Sequence, residues 1–253
     1  MTLKIVSLNL WHGGRLFQEA LEFLRDQDAD IIALQEVHDG HGLNLADRHR
    51  SMQVLREELD YTYDDFAQAF ILSQPEGKIP FGSAILSKFP LKQSSVDFFV
   101  EATRPYYQDV PKQWPILPRL LQGTKITVPR HEVNFFNIQG VWDLAGDHDS
   151  PARHRMADTI LKATAGKPNV IVAGDTNAKP TNPAMRRLEG PLKSVFGDEL
   201  KTTFNMRRKD NPGYATAAVD LMYVSSNVKV VSKDVPDVDV SDHLPLVVTL
   251  QID

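Results

Sequence analysis

Short apolar runs along this chain each adjoin acid or amide side chains, and this recurring order constrains the fold most strongly. Apolar runs of this length are typical of buried β-strands. Polar residues border five such runs: Asn9, Glu36, Asp175, Asn177, Asp220, Asp242 and His243. We therefore expect strand ends to direct four carboxylates, two amides and one histidine towards a shared site. Such a set suits a hard divalent cation with a proton-transfer partner.

The composition is that of an ordinary globular protein. The chain has 253 residues, of which 42% are apolar and 24% charged, and this length supports a large core. No stretch resembles a linker, so we expect a single domain over residues 1–253. No run approaches the ~18 apolar residues of a membrane span. The first 14 residues lack the features of a secretory signal, and we expect a cytoplasmic protein.

Cysteine content and charge narrow the possible chemistry. The sequence contains no cysteine, which excludes disulfides, thiolate metal sites and a cysteine nucleophile within it. The formal net charge is −5, whereas a general nucleic-acid binder usually presents a basic face. Local fields can differ from the net charge, so nucleic acid stays among the candidate partners.

Two segments share the order helix, turn, strand and acid. Apolar residues recur at helical spacing in both: Phe17, Ala20, Leu21 and Leu24 in the first, and Met156, Ile160 and Ala163 in the second. The strands that follow lead to Glu36 and Asp175. The repeated unit predicts a sandwich of two sheets with helices outside, in which each half contributes carboxylates to one rim.

Weaker patterns predict further elements. We expect a helix within residues 45–59, a strand over residues 83–86 and a hairpin over residues 125–138. A cap asparagine, a proline and a later glycine predict a short helix within residues 182–190. Residues 105–118 are rich in proline and aromatic residues, and we expect them to form a surface loop.

The ordered motifs resemble those of the endonuclease/exonuclease/phosphatase superfamily, which includes deoxyribonuclease I. They are Leu8-Asn9, Leu34-Gln35-Glu36, Gly174-Asp175-Thr176-Asn177, Val219-Asp220 and Ser241-Asp242-His243. The resemblance extends from about Leu3 to Thr249. It implies an α+β fold, a four-layer α/β/β/α sandwich of two mostly antiparallel sheets. It also implies a divalent-metal-dependent phosphoester hydrolase, a phosphodiesterase or phosphatase, that attacks phosphorus with an activated water.

The resemblance implies roles for the metal and water sites. Glu36 is the expected main metal ligand, with Asn9 beside it and Asp242 as a further acid, and the expected cofactor is Mg²⁺ or Mn²⁺. Asp175 is expected to orient or deprotonate the attacking water, while Asn177 and Asn9 support the transition state. If the strand stays extended, the side chains of Asp175 and Asn177 point to the same face. Turn formation after a strand is the alternative interpretation of Asn9, Asp175 and Asn177.

The resemblance also pairs Asp220 with His243, which is expected to meet the developing negative charge. Gln139 stands where the family usually has a second histidine, which leaves His243 as the single imidazole. His12 and His148 could substitute for the missing histidine, but each is expected to be a surface residue. Gln139, Arg153 and Trp142 are candidate substrate-binding residues. For Arg153, a salt bridge at a helix start is the favoured alternative.

Three functional interpretations stay open at this point. A small-molecule or lipid phosphodiesterase or phosphatase would have a pocket closed by residues 105–118 and 143–150. A DNA endonuclease or exonuclease of the repair type would need a basic groove around the carboxylates. A non-catalytic phosphate-binding module would have lost some acids, and none is missing. The basic residues 207–209 are interpreted as a solvated loop, with phosphate contact as the alternative.

Overall fold

Two six-stranded β-sheets face each other in the computed structural model, which describes residues 1–253 except 43, 109, 144, 145 and 147. In spatial order, the first sheet contains β11 (Val228–Asp234), β12 (Leu246–Ile252), β1 (Thr2–Asn9), β2 (Ile31–His38), β4 (Gly77–Ser87) and β3 (Tyr63–Gln74). The second contains β5 (Leu91–Val100), β6 (Arg119–Val128), β7 (His131–Gln139), β8 (Val170–Asp175), β10 (Asp220–Val224) and β9 (Lys193–Ser194). Neighbouring strands are antiparallel except for the parallel pairs β1–β2 and β7–β8.

Helices cover the outer faces of both sheets. The α-helices are α1 (Phe17–Gln27), α2 (Ser51–Glu58), α3 (Pro151–Thr164) and α4 (Pro183–Arg186). Short 3₁₀ segments lie at Asp47–Arg50, Pro111–Ile116, Arg187–Glu189 and Pro212–Thr216. The parallel pairs need crossover connections, which α1 and α3 provide. The predicted repeat and the four-layer α/β/β/α sandwich of mostly antiparallel sheets are confirmed.

Three buried apolar clusters correspond to the three interfaces between the four layers. Side chains alternate along β1, so that Leu3 and Ile5 join the cluster between the sheets while Val6 and Leu8 pack under α1 and α2. A third cluster, which includes Met156, lies between the second sheet and helices α3 and α4. Burial on both faces explains why the central strands appear in the sequence as short apolar runs.

A bridge of buried side-chain amides crosses between the two sheets. Asn137 of β7 donates through Nδ2 to the carbonyl oxygens of Leu34, at 3.0 Å, and Ala84, at 3.1 Å, both in the first sheet. Its Oδ1 accepts from Nε2 of Gln35 at 2.7 Å. Within the second sheet, the Asn137 Nδ2 atom also lies 3.2 Å from Oε1 of Gln122. These bonds fix the position of β2 relative to β7.

The backbone of β2 changes direction immediately after this bridge. Glu36 has a left-handed φ of 58°, and the pairing of β2 with β4 shifts register between Leu34 and Val37. Such an irregularity re-aims a side chain. The amide nitrogen of Glu36 then donates to Oε1 of Gln139, at 3.1 Å, across the two sheets. Glu36 was expected at a strand end, whereas β2 continues to His38.

Other expected elements are found with altered bounds. The helix within residues 45–59 begins as a 3₁₀ turn, and the hairpin strands are longer than their apolar patterns. Residues 105–118 do not form only a surface loop, because Tyr107 is buried and makes a backbone bridge to Leu72 of β3. Among the described residues, no helix is long and apolar enough to cross a membrane.

Replacing Asn137 by leucine should destabilise the fold. The side chain of Gln35 and the carbonyls of Leu34 and Ala84 would lose buried partners, and each such loss costs about 1–3 kcal/mol. We expect Asn137→Leu to lower the free energy of unfolding in urea by about 3 kcal/mol or more. Gln68→Leu, at an exposed amide on β3, is the matched control. Equal stabilities of the two variants would contradict this role of the bridge.

Candidate active site

Strands β1 and β8 end in turns of the same type. The side-chain Oδ1 of Asn9 accepts from the amide nitrogen of Trp11, at 2.9 Å, and Oδ1 of Asp175 accepts from that of Asn177, at 2.8 Å. Trp11 and Asn177 both have left-handed φ angles, of 61° and 50°. The two turns face each other, because Nδ2 of Asn9 donates to Oδ2 of Asp175 at 3.1 Å. Asn9 and Asp175 therefore form turns and also belong to the candidate site.

Asp175 is a buried carboxylate with three hydrogen-bond donors. Besides Asn9 and the backbone of Asn177, the Nδ2 atom of Asn177 donates to Oδ2 at 3.1 Å. The strand does not stay extended beyond Asp175, since the left-handed backbone of Asn177 folds its side-chain amide back onto the Asp175 carboxylate. Burial raises the pKa of Asp175 despite the opposing charge of His243, and the negative charge of Asp220 raises it further.

A close approach of two chain segments keeps Asn177 in place. The carbonyl oxygen of Gly140 accepts from Nδ2 of Asn177 at 3.2 Å, and its amide nitrogen donates to the carbonyl of Asp175 at 2.6 Å. A Cβ atom on residue 140 would lie 2.2 Å from the carbonyl oxygen of Thr176, so only glycine fits. Gly140, directly after β7, therefore holds the turn that contains Asp175 and Asn177 in place.

His243 and Asp220 form a buried charged pair beside Asp175. Asp220 pairs with Asp175 across the antiparallel strands β10 and β8, and its Oδ2 lies 2.8 Å from Nδ1 of His243. Burial alone would lower the pKa of His243, but the charge and hydrogen bond of Asp220, with Asp242 and Asp175, raise it to about 10. The imidazole is therefore a cation at neutral pH, with Nδ1–H donating to Asp220. A 2.8 Å separation is that of a hydrogen bond and leaves no room for a metal ion between these two atoms.

Glu36 presents a charged carboxylate to the cavity that Asp175 and His243 also line. Its Oε2 accepts from the amide nitrogen of His12 at 2.8 Å. Burial would raise its pKa, but the His12 charge and hydrogen bond, together with the charges of Arg119 and His243, lower the pKa to about 2. Within the described part of the chain, Oε1 of Glu36 accepts no hydrogen bond. His12, expected at the surface, thus belongs to the site.

Oxygen donors of this kind fit a hard divalent ion. Glu36 offers an ionised carboxylate with an open oxygen, which is the donor type that Mg²⁺ and Mn²⁺ prefer. Asp242 lines the same cavity, but its Oδ2 pairs with Nζ of Lys209 at 2.5 Å, so an ion there would compete with the ammonium group. Both polar atoms of Asn9 are already engaged, with Trp11 and Asp175. Glu36 is consequently the donor best placed to hold a metal.

The three candidate substrate-binding residues lie in different places. Gln139 is buried behind Glu36 and holds its backbone. Arg153 is also buried, and its guanidinium donates to the backbone carbonyls of His148 and, at 3.0 Å, Asn177. Neither of them lines the cavity, whereas Trp142 does.

Sequence reasoning missed Arg119, which opens β6 and lines the cavity. Its side chain is only 7% exposed, and within the described residues its Nε has no hydrogen-bond partner. Burial lowers its pKa, against the opposing charges of Glu36 and Asp175. The available signal was a charged residue flanked by Leu117-Pro118 and Leu120-Leu121, because an arginine is seldom buried without a functional or structural partner.

One cavity of about 460 Å³ receives these groups. Five motif residues line it: Glu36, Asp175, Asn177, Asp242 and His243. The other two lie behind these, since Asn9 is hydrogen-bonded to Asp175 and Asp220 to His243. All seven motif residues are therefore brought together at one edge of the two sheets. Charged groups of both signs line the cavity, so it suits an anion that also binds a cation.

The profile of the Endonuclease/Exonuclease/phosphatase family matches residues 6–243, and the chain belongs to this family. The fold is similar to that of a Beutenbergia cavernae family protein, with a TM-score of 0.74, 18% identity, and coverage of 99% of this chain and 72% of that chain. A Bacteroides thetaiotaomicron mannosyl-6-phosphatase has a TM-score of 0.71 and 19% identity, over 99% and 100% of the two chains.

A third similar structure is D. rerio TDP2 in complex with a single-strand DNA product. Its TM-score is 0.70, with 15% identity over 99% of each chain. At these identities the likeness establishes the shared fold. No curated protein sequence matches significantly.

The pairing of His243 with Asp220 is testable by nuclear magnetic resonance of the imidazole nitrogens. His243 should stay protonated up to a pH of about 10, and Asp220→Asn should lower its pKa. Since the folded-state pKa is raised, the stabilising contribution is complete below the usual value of about 6.5 and is lost as the pH rises through about 10. Asp149→Asn, at the exposed His154 pair, is the control. A His243 that titrates near 6.5 would refute the assignment.

Proposed function

We propose that the protein is a divalent-metal-dependent phosphoester hydrolase, a phosphodiesterase or phosphatase, that attacks phosphorus with a water molecule. The observation that carries this proposal is the opening of Asp175, His243 and Glu36 into one cavity. Such a cavity combines a base, a cation and a metal-binding carboxylate, which are the groups that hydrolysis of a phosphate ester needs. Membership of the family supports the same chemistry.

Asp175 is the proposed base for the attacking water. A carboxylate offers about four acceptor positions, and three are occupied by Asn9 and Asn177. The remaining position can accept a hydrogen bond from water in a fixed direction. The raised pKa of Asp175 increases its capacity to take the proton as the P–O bond to water forms. Asn9 and Asn177 therefore orient the base.

His243 and Arg119 are the proposed partners of the phosphoryl oxygens. The imidazolium of His243 is held by Asp220 through Nδ1, which leaves Nε2–H to donate into the cavity. The guanidinium of Arg119 can donate to two oxygens at once. Both are fixed cations in a buried setting, where charge stabilisation is strongest.

Glu36 is the proposed principal metal ligand, with Asp242, which pairs with Lys209, as a further acid. A bound Mg²⁺ or Mn²⁺ supplies positive charge to the phosphate and to the leaving oxygen. The pKa of about 2 keeps the Glu36 carboxylate ionised throughout the neutral range. Its fixed backbone, bound to Gln139, limits the movement of the ligand.

Metal dependence is the first test of this proposal. Hydrolysis of p-nitrophenyl phosphate or bis(p-nitrophenyl) phosphate should disappear in EDTA and return with Mg²⁺ or Mn²⁺. Glu36→Gln should raise the metal concentration for half-maximal rate by about 10-fold or more. Glu22→Gln, at an exposed position of α1, is the matched control. Full activity in EDTA would exclude the proposed mechanism.

The proposed unit of Asp220 and His243 predicts non-additive losses. Asp220→Asn and His243→Ala should each lower kcat by about 10²-fold, because either change removes the same cation. The double variant should then be scarcely slower than His243→Ala. Corresponding changes at the exposed pair Asp149 and His154 should leave kcat unaltered. Multiplying losses would show that Asp220 and His243 act separately.

A further inference from the structure

We propose that the cleft selects a phosphate ester whose alcohol carries a planar aromatic ring. The ring would occupy an apolar subsite lined by Phe70, Leu72, Phe81, Trp114, Leu117 and Trp142. This inference rests on the proposed hydrolysis and adds the class of substrate. Water would attack phosphorus, the P–O bond to the alcohol would break, and phosphate and the aromatic alcohol would be released.

The order of the strands places the apolar subsite on one side of the charged groups. In the first sheet, β4 and β3 lie beyond β2, and they carry Phe81, Phe70 and Leu72. In the second sheet, β6 lies beyond β7, and Leu117 lies two residues before its start. Strands β12 and β10 lie on the other side, with His243 before β12 and Asp220 at the start of β10. The cleft is therefore apolar at one end, and at the other end it carries charged groups beside Phe204 and Tyr214.

Arg119 lies where the two ends meet, at the start of β6 beside Leu117. Among the described residues its Nε has no hydrogen-bond partner, although only 7% of the residue is exposed and the charges of Glu36 and Asp175 act on it. A buried guanidinium with an open N–H group is costly, and an anionic group of the ligand would complete its bonding. A phosphate bound there and at His243 would direct its organic group towards the apolar subsite.

The walls of the subsite favour an aromatic ring over other groups. Phe70 and Phe81 stack with ring centroids 4.5 Å apart and an interplanar angle of 18°, and both line the cavity. Trp114 and Trp142 meet edge to face at 5.6 Å and 84°. Flat faces and edges in these arrangements are the surfaces on which a further ring packs best.

Polar alcohols fit the subsite poorly. Apart from the two indole N–H groups, its six side chains carry no polar atom, so the hydroxyl groups of a sugar or of glycerol would lose hydrogen bonds to water. The cavity volume of about 460 Å³ lies at the low end of the range for small-molecule pockets, which is about 300–1,000 Å³. A phosphate with one ring system is of suitable size.

The first experiment compares phosphate esters of three primary alcohols, so that the leaving groups are chemically alike. These are benzyl phosphate, cyclohexylmethyl phosphate and glycerol phosphate, each with the full chain and Mg²⁺. Benzyl phosphate should have the highest kcat/KM, by about 3- to 10-fold over cyclohexylmethyl phosphate. It should exceed glycerol phosphate by roughly 10- to 100-fold. Equal values, or a higher value for glycerol phosphate, would overturn the proposal.

A variant tests the location of the ring. Trp114→Ala, at a half-buried position of the subsite, should lower kcat/KM for benzyl phosphate at least ~5-fold more than kcat/KM for glycerol phosphate. The matched control is Phe98→Ala, an exposed aromatic residue of β5 outside the cleft, which should leave the ratio of the two values unaltered. An unaltered ratio in Trp114→Ala would also contradict the proposal.

Binding of a non-hydrolysable probe separates this inference from the proposed hydrolysis. Benzylphosphonate should bind more tightly than cyclohexylmethylphosphonate or methylphosphonate in calorimetry. If benzylphosphonate binds most tightly while no ester is hydrolysed with Mg²⁺ or Mn²⁺, the aromatic subsite is supported and the proposed hydrolysis is refuted. If all three esters are hydrolysed at equal rates and the three phosphonates bind equally, the proposed hydrolysis is supported and the aromatic subsite is refuted.

Discussion

The hydrogen bonds of Asn137 to the facing sheet fix the relative position of the two sheets, from which the site is built. They are polar bonds in an otherwise apolar interface, and such bonds specify one relative position because any slip leaves buried groups without partners. Gln35 completes the bridge, and the next residue is Glu36. Two residues after Asn137, Gln139 holds the backbone of Glu36. The proposed metal ligand and the end of β7 are therefore positioned by one local network.

Charges in the cleft stabilise one another in a setting where isolated charges would be costly. Asp220 keeps His243 protonated, and His12 and Arg119 keep Glu36 ionised, while burial makes Asp175 the carboxylate that takes up a proton most readily. Environments that separate the pKa values of neighbouring acids are a feature of sites that transfer protons. No described residue forms a hydrogen bond with Nε of Arg119, so an anionic ligand would give this guanidinium a further partner.

The sequence predicted the parts of the molecule that depend on local order. Buried strands with polar ends, the helix of Phe17 and its counterpart in α3, and the seven motif residues could be recognised because their patterns are short and repeated. Strand β5 was not recognised, since an exposed edge strand lacks an apolar run. The left-handed backbone at Glu36 was also not predictable, because a glutamate carries no preference for it. Arg119 and the apolar subsite depend on contacts between distant segments, which no local pattern records.

We propose that Glu36 holds the metal, while Asp175, His243 and Arg119 surround the phosphorus atom. Anomalous diffraction from crystals grown with Mn²⁺ and benzylphosphonate would test this arrangement. We expect one strong manganese peak in contact with the Glu36 carboxylate, and phosphonate oxygens within hydrogen-bonding distance of His243 and Arg119. A manganese peak away from Glu36, or a phosphonate bound outside this cleft, would contradict it.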